Sequence, residues 1–350
     1  MIRLRLSPRD LTQISVQPGA GPFAEALFSF DVVSRSQVGD FNPWSRRVRA
    51  SASDLVRCAA ALFTMHGPPL DLLSYVNPTE NIAAAIEQML SIPDPVYRDE
   101  LRFVLAARRL PARSAPLIGT DLRARRRLAE AISDAATNFV LPNQKRIQSF
   151  LATTSAAATG RARSDGIDQM LTQLHSSILW NPPWLTVGAD DCAPRSYASE
   201  GQGVTFVPSA LMREQPIVFR PKDRSRPWLV FYSAVHDLAD LVRVHTDPNS
   251  LDAVARLIGQ SRSDLLMTIA ERPGRPVKEL AARVGISVAA ASEHLAVLRH
   301  AGLIEGRRHG KAHSHVLTPL GASVLLAGHE STPAWDVDGE DQTVAELTRA

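Results

Sequence analysis

The sequence predicts a mainly α-helical protein with a small amount of β-structure, an α+β fold. Three observations lead to this class. Apolar residues recur at helical spacing between residues 22 and 158, where prolines separate the segments. Short runs rich in β-branched and aromatic residues follow. A second group of helical patterns, together with one hairpin pattern, occupies the last hundred or so residues.

Length and composition restrict the kind of protein. The 350 residues can hold two or three domains with substantial cores, and 45% hydrophobic and 21% charged residues are typical of a globular chain. No uncharged apolar run reaches the ~18 residues of a membrane span. The N-terminus lacks the apolar core of a secretory signal. Cys58 and Cys192 are too few for a disulfide framework or a cysteine-rich zinc site. We therefore expect a cytoplasmic protein without membrane contact.

The first predicted domain spans residues 1–245. A short strand is expected on each side of Ser7-Pro8. Predicted helices cover 22–36, 50–65, 79–90, 95–109, 121–139 and 143–158. The runs WLTVGA, GVTFVP, PIVFRP and PWLVFY then predict a small antiparallel sheet that closes the helical domain. The arginines of DLRARRR, residues 121–127, are interpreted as a solvated helix face rather than a nucleic-acid site.

Motifs for catalysis are missing from this sequence. It contains no Walker loop and no GxGxxG, GxSxG or HExxH pattern, so we expect neither enzyme activity nor a cofactor. Asp237 beside His236 is interpreted as a helix cap rather than a catalytic dyad, and Gly201-Gln202-Gly203 as a hairpin turn. Aromatic residues that could line a pocket, although ordinary core packing is the simpler interpretation, are Trp180, Trp184, Trp228, Phe231 and Tyr232.

Residues 250–328 form the second predicted domain, after the turn sequence TDPNS. Two helical patterns lead to Pro273-Gly274, and two short helices follow between residues 276 and 303. Gly285 allows the chain to turn between these two helices, and Ser287 is placed to cap the second one. The buried stripe of that helix is predicted to be Ala291, Leu295 and Leu298, and its outer face Ala289, Ser292, Glu293, Ala296 and His300. A helix with a small, polar outer face is suited to the major groove of DNA.

A basic hairpin is predicted directly after this helix. The segment LIEGRRHGKAHSHVLT would have its base at Leu303-Ile304 and Val316-Leu317 and its tip at His309-Gly310. Such a wing can lie along the phosphate backbone. Residues 250–325 carry ten Lys/Arg and six Asp/Glu, a surplus of +4, which favours a polyanionic partner. The acidic tail, residues 331–350, is predicted to be disordered.

This order of elements resembles the winged helix-turn-helix of ArsR/SmtB-type bacterial repressors, in a long form with an uncharacterised N-terminal domain as in some actinobacterial members. The resemblance rests on Leu265-Leu266, on 278–281 and on the pattern from Ser287 to Leu303. It implies a transcription regulator. The metal ligands of the family are absent, since PVKELAARVG lacks the cysteine pair and PLGASVLLAGHE lacks the Asp/His set. We therefore expect no metal site, and treat a site at His309, His313 and His315 as a minor alternative.

The sequence predicts contacts with double-stranded DNA for Ser287, Ala289, Ala290, Ser292, Glu293, His294, Arg299, Arg307, Arg308, Lys311 and His313. Ser287 and the helix start would hold a phosphate, and Ser292 and Glu293 would meet base edges. A homodimer would read a pseudo-palindromic operator and act as a repressor. A small organic effector would act at the N-terminal domain. Two alternatives remain open: a winged helix that binds a protein, and an enzyme-like N-terminal domain fused to a DNA-binding module.

Overall fold

The structure, a computed structural model, describes residues 1–34, 43–63, 69–107, 109–188, 195–212, 215–220, 226–246, 248–309 and 312–327. The α+β class predicted from the sequence is confirmed. The first elements are β1 (Ile2–Arg5), α1 (Pro8–Thr12), β2 (Ser15–Val16), α2 (Gly21–Ser34), α3 (Pro43–Ser51), α4 (Asp54–Ala60), α5 (Ile82–Leu90), α6 (Asp94–Ala107) and α7 (Leu122–Ala135). Next come α8 (Gln144–Ser164), α9 (Ile167–Thr172), β3 (Ile178–Asn181), β4 (Trp184–Val187), β5 (Arg195–Ala198), β6 (Val204–Ser209), β7 (Ile217–Phe219) and β8 (Trp228–Ser233). The last elements are α10 (Leu238–His245), α11 (Pro248–Ile258), α12 (Gln260–Glu271), α13 (Val277–Val284), α14 (Val288–His300), β9 (Ile304–His309), β10 (Ala312–Leu317) and α15 (Pro319–Ala327).

Helix α2 is the centre of the N-terminal part. Its residues from Pro22 to Val32 are all buried, because α4, α5 and α7 pack around it. A helix that is apolar on every side belongs in a core rather than on a surface. The carboxylate of Glu25, one of two buried acids in this mostly apolar helix, accepts hydrogen bonds from Ser209 Oγ and from the backbone N–H groups of Ala210 and Leu211. These bonds tie α2 to the end of strand β6.

The strands correct the prediction of one small antiparallel sheet. Strands β1 to β8 form two four-stranded mixed sheets, with the orders β3-β4-β1-β5 and β2-β6-β8-β7. Strands β1 and β5, β2 and β6, and β6 and β8 pair in parallel. Every residue of β6 is buried, as is typical of a central strand in a covered sheet. A second core between the sheets contains Leu4, Phe206 and Trp228.

Residues 8–12 are helical, although a strand was predicted after Ser7-Pro8. Ser7 and Asp10 form a reciprocal capping box, and Pro8 occupies the first helical position. Both signals favour a helix more strongly than the alternation of apolar residues favours a strand. Asp10 also accepts from Ser199 Oγ at 2.7 Å and from the N–H of Gly203 at 2.9 Å. Gly203 thus lies in a connection between the two sheets rather than in a hairpin turn.

One arginine of DLRARRR is buried, which corrects the interpretation of that segment as a solvated face. Arg125 donates to Asp94 Oδ1 at 2.8 Å and to the carbonyl oxygen of Ile92 at 2.6 Å. Its guanidinium also lies 4.3 Å from the centre of the Tyr97 ring. Arg123 and Arg126 are exposed, as predicted.

The third core belongs to the C-terminal elements. It contains Leu265, Leu266, Leu295 and Leu298, and Val242 from α10 joins it. Two residues later, Val244 belongs to the helical N-terminal core. Helix α10 therefore contributes to both cores. The limit at residue 245 and the other domain limits remain predictions.

No single helix in the described parts of the chain is long and apolar enough to cross a membrane. Taken together, α13 and α14 have the length and apolar composition of a membrane span, but a bend of 104° separates the two helices.

Candidate DNA-binding site

Helix α13 and the turn after it set the position of α14. Leu280 and Ala281 are buried against the C-terminal core, so α13 lies flat on it. Gly285 ends the helix in the left-handed conformation, with φ 75°. The N–H of Ile286 then bonds to the carbonyl oxygen of Ala281 at 3.1 Å. The chain leaves this turn into α14 at 104° to α13, within the range of a DNA-binding helix-turn-helix.

Helix α14 begins at a capped serine and buries one stripe. Ser287 Oγ accepts from the N–H of Ala290 at 3.1 Å, as predicted. The predicted inner stripe, Ala291, Leu295 and Leu298, is at most 2% exposed. Burial of this stripe fixes which side of α14 faces away from the protein.

The opposite side of α14 carries the predicted contact residues. Ser287, Ala289, Ser292, Glu293 and Arg299 are exposed, and Ala290 and His294 are half-buried. Ser292 Oγ donates to the carbonyl oxygen of Val288 at 2.8 Å, so its hydroxyl remains available as an acceptor. The face is narrow and polar, with small side chains in its first turns.

Val288 is a residue that the sequence reasoning missed. It is 49% exposed in the first turn of α14, beside Ala289. An exposed β-branched apolar side chain at this position can contact a thymine methyl group. The signal was its place directly after the cap, ahead of the buried stripe.

Positive charge around α14 is only partly neutralised. Arg275 pairs with Glu279 at 3.1 Å, and Arg283 with Glu271 at 3.3 Å. By contrast, Lys278 and Arg299 are exposed and have no ion-pair partner among the residues that the structure describes. These two cations are free to approach phosphates.

The predicted wing follows α14. Strand β9 pairs antiparallel with β10, with Ile304 opposite Leu317 and Arg308 opposite His313. The base is buried at Leu303 and Ile304, as predicted. Arg307, Arg308 and His313 stand on the two strands, but their side chains, like the whole of Lys311, lie outside the described part of the chain.

Comparison with protein families agrees with this geometry. Residues 259–305, from the start of α12 to the start of the wing, match the family model described as bacterial regulatory protein, arsR family. The chain carries an arsR-family helix-turn-helix. This helix-turn-helix supports a role in DNA-binding transcription regulation, and a long N-terminal region precedes it. No curated protein and no solved structure matches it significantly.

Helix α15 packs over the base of the wing. Thr318 Oγ1 donates to the carbonyl oxygen of Gly302 at 2.6 Å. The backbone N–H of Thr318 donates to the carbonyl oxygen of Leu303 at 3.1 Å. At Gly321 an added Cβ atom would lie 2.0 Å from the same Leu303 oxygen. This close approach requires glycine.

The sequence also left open a histidine metal site, a dyad at His236 and Asp237, and an aromatic pocket. Among the described residues no group of three or more His, Cys, Asp or Glu side chains could hold a metal ion, and the side chains of His309 and His313 are not among them. Asp237 caps α10 by accepting from the N–H of Asp240 at 2.9 Å. Of the aromatic residues, Trp228 and Tyr232 face the core between the sheets, whereas Phe231 faces the helical core. These side chains therefore do not line one pocket.

Proposed function

We propose that the chain represses transcription by binding a pseudo-palindromic operator as a homodimer, under the control of a small organic effector at its N-terminal part. The observation that carries this proposal is the capped helix α14 in the segment that matches the arsR family. This helix lies at 104° to α13 and exposes a small, polar face. Such a regulator would work in the cytoplasm, where bacterial DNA lies. No catalytic step is assigned to it.

The chemistry of the exposed face supports direct reading of bases. Glu293 can accept from the amino group of cytosine, while Val288 and Ala289 offer methyl groups to thymine. The N–H groups at the start of α14 attract a phosphate, and the hydroxyl of Ser287 lies beside them. Arg299 adds charge at the other end of the helix.

One α14 covers only a few base pairs, so a second copy would be needed for a specific site. Leu257 on α11, which is 79% exposed, is a candidate contact for self-association. We expect Leu257→Glu to give a monomer in sedimentation experiments. The variant should still fold, because this side chain contributes little to the core. An unchanged dimer would move the interface elsewhere.

The experiment that tests the function is a binding titration with the DNA upstream of the protein's own gene, first at low salt. A bound fragment would then be shortened to a minimal site. Inserting about five base pairs between the half-sites should abolish binding by the dimer, because successive major-groove faces recur about every 34 Å and the second half-site would turn to the opposite side of the DNA. No binding at low salt would reject the proposal.

The wing is tested by Arg308→Ala. We expect weaker binding to all DNA sequences and a log-affinity against log-salt slope that is smaller by about 0.9. Arg126→Ala is the matched control, because it removes the same charge from an exposed position on α7. An unchanged slope in Arg308→Ala would remove the wing from the interface.

A further inference from the structure

A cavity of about 320 Å³ lies at the start of α2 and along α8. Its volume equals that of roughly ten water molecules at ~30 Å³ each, which is at the small end of ligand pockets. The walls are apolar, and they are formed by Pro18, Pro22, Val140, Ile147 and Leu151. The sequence pattern did not predict a pocket at these positions.

The polar groups around the cavity are acidic or neutral. Glu25 and Glu80 are its two charged lining residues, accompanied by the amides of Gln144 and Gln148. Gln144 Nε2 donates to Glu80 Oε2 at 3.2 Å, and Gln148 Nε2 donates to the same oxygen. These bonds hold an exposed carboxylate at the rim, and its other oxygen has no hydrogen-bond donor among the described residues.

Glu25 supplies the second carboxylate from a buried position, with 2% of its surface exposed. Its Oε2 accepts from Ser209 and Leu211 at 2.9 Å, whereas Ala210, at 3.3 Å, is the one donor to its Oε1 in the described part of the chain. Among the residues that the structure describes, no cation pairs with Glu25. Burial without a counter-ion favours the neutral acid in the unliganded protein, whereas a bound cation would favour the charged carboxylate.

The backbone keeps this site in shape. Gly21 has φ +81°, and a Cβ atom there would lie 2.2 Å from the carbonyl oxygen of Thr79. Glycine therefore allows the 79–80 segment to lie directly against the start of α2. This contact brings Glu80 to the same cavity as Glu25.

One wall of the cavity also touches the DNA-binding part. On α8, Arg146 lies between the lining residues Gln144 and Ile147, and its guanidinium donates to the carbonyl oxygen of Thr246. Thr246 ends α10, the helix that contributes to both cores. Nearby, Trp44 of α3 stacks on His245 with 4.2 Å between ring centres. A shift of α8 would therefore reach the end of α10, which also packs in the C-terminal core.

We propose that this cavity is the effector site and that it takes a small organic ammonium ion, with the cation between Glu25 and Glu80 and the apolar body against α8. The site deepens the proposed function, because it names the class of effector for a regulator of DNA binding. A ligand changes DNA affinity only if it binds the two states differently. The contact between Arg146 and Thr246 is the link through which α8 would transmit that difference.

Binding is tested first without DNA, on the full chain, by calorimetry with three probes of similar size: benzylammonium, benzyl alcohol and benzoate. We expect benzylammonium to bind most tightly and benzoate not at all. Ala152→Trp places a bulky ring at an exposed lining position and should abolish binding. Ala157→Trp, at an exposed position of the same helix outside the cavity, should leave it unchanged.

Two further variants test the charges. Glu80→Gln, at the exposed rim, should weaken benzylammonium about two- to fivefold, and Glu25→Gln should weaken it more. Equal binding of all three probes, or unchanged binding in Ala152→Trp, would overturn the site. Because these measurements contain no DNA, they can fail or succeed independently of the proposed function.

Coupling is tested by DNA titrations with and without saturating benzylammonium. We expect a change in DNA affinity of roughly 5- to 150-fold in the wild type. In Arg146→Ala the ligand should still bind, but the change in DNA affinity should be much smaller. A ligand that binds with no effect on DNA affinity would overturn the regulatory role, and an equal effect in Arg146→Ala would overturn the link.

Discussion

The same substitution, glycine to alanine, should have opposite effects on stability at Gly321 and at Gly160. In Gly321→Ala the new Cβ atom would lie 2.0 Å from the carbonyl oxygen of Leu303, whereas carbon–oxygen contacts are normally at least about 3.3 Å. Helix α15 must therefore move by roughly 1 Å or more from the base of the wing, and such overpacking costs about 1–3 kcal/mol. In Gly160→Ala the new Cβ meets nothing within 4 Å. This variant should gain about 0.5–1 kcal/mol, because alanine favours a helix over glycine.

Hydrogen exchange locates the effect. In Gly321→Ala we expect exchange in α12 and α14 to be about 5- to 150-fold faster, since the cost converts at about 1.4 kcal/mol per factor of ten. Urea unfolding measures the stability of both variants, and binding to a DNA site measures their function. If Gly321→Ala left the exchange of α12 and α14 unchanged, or if both variants shifted stability in the same direction, the packing of α15 on Leu303 would be wrong.

Three further predictions concern stability and binding. Burial raises the pKa of Glu25 from 4.5 to about 7. Between these two pH values the native state keeps a proton that the unfolded chain has lost. The free energy of unfolding should therefore fall as the pH rises through this window, by on the order of 3 kcal/mol. Urea unfolding at several pH values should show this fall in the wild type and not in Glu25→Gln. Ser287→Ala should cost about 1 kcal/mol of stability, whereas Ser287→Asp should keep the cap and still weaken DNA binding by repelling phosphate. Arg125→Met should cost about 1–3 kcal/mol because it leaves the buried carbonyl oxygen of Ile92 without this donor, while exposed Arg126→Met should stay within about 0.5 kcal/mol.

Each of these has a contradicting result. Parallel pH curves for the wild type and Glu25→Gln would show that the carboxyl titrates at its ordinary pKa. Equal losses of stability in Ser287→Ala and Ser287→Asp would remove the cap from the explanation. Equal stability of the two methionine variants would return Arg125 to the solvated face.

The helix-turn-helix could be predicted because its signals are local. The spacing of Leu280, Ala281, Leu295 and Leu298, the glycine at 285 and a capping serine all act within one or two helical turns. These residues define the buried and exposed faces without help from distant parts of the chain. The contacts with DNA stay predictions, since exposure alone does not identify a bound base.

The sheets and the cavity could not be predicted, because they depend on distant partners. Strand β1 pairs with β4 and β5 across roughly 180 residues of sequence. Alternation of apolar residues gives a strand, but it does not give the direction of its neighbour. Arg125 looked solvated because Asp94 and Tyr97 stand on another helix. Glu25 was a readable signal of a polar site, as an acid in a mostly apolar helix.

The double membership of α10 has a consequence for how such a chain can be divided. A fragment starting at residue 250 would lack Val242 and leave its place in the C-terminal core vacant, a loss of about 1.5–3 kcal/mol of burial. A fragment ending at 245 would carry the same side chain into solvent. Recombination with a crossover before Asp237 would keep Val242 with the C-terminal core, but it would also replace Val244 in the helical N-terminal core.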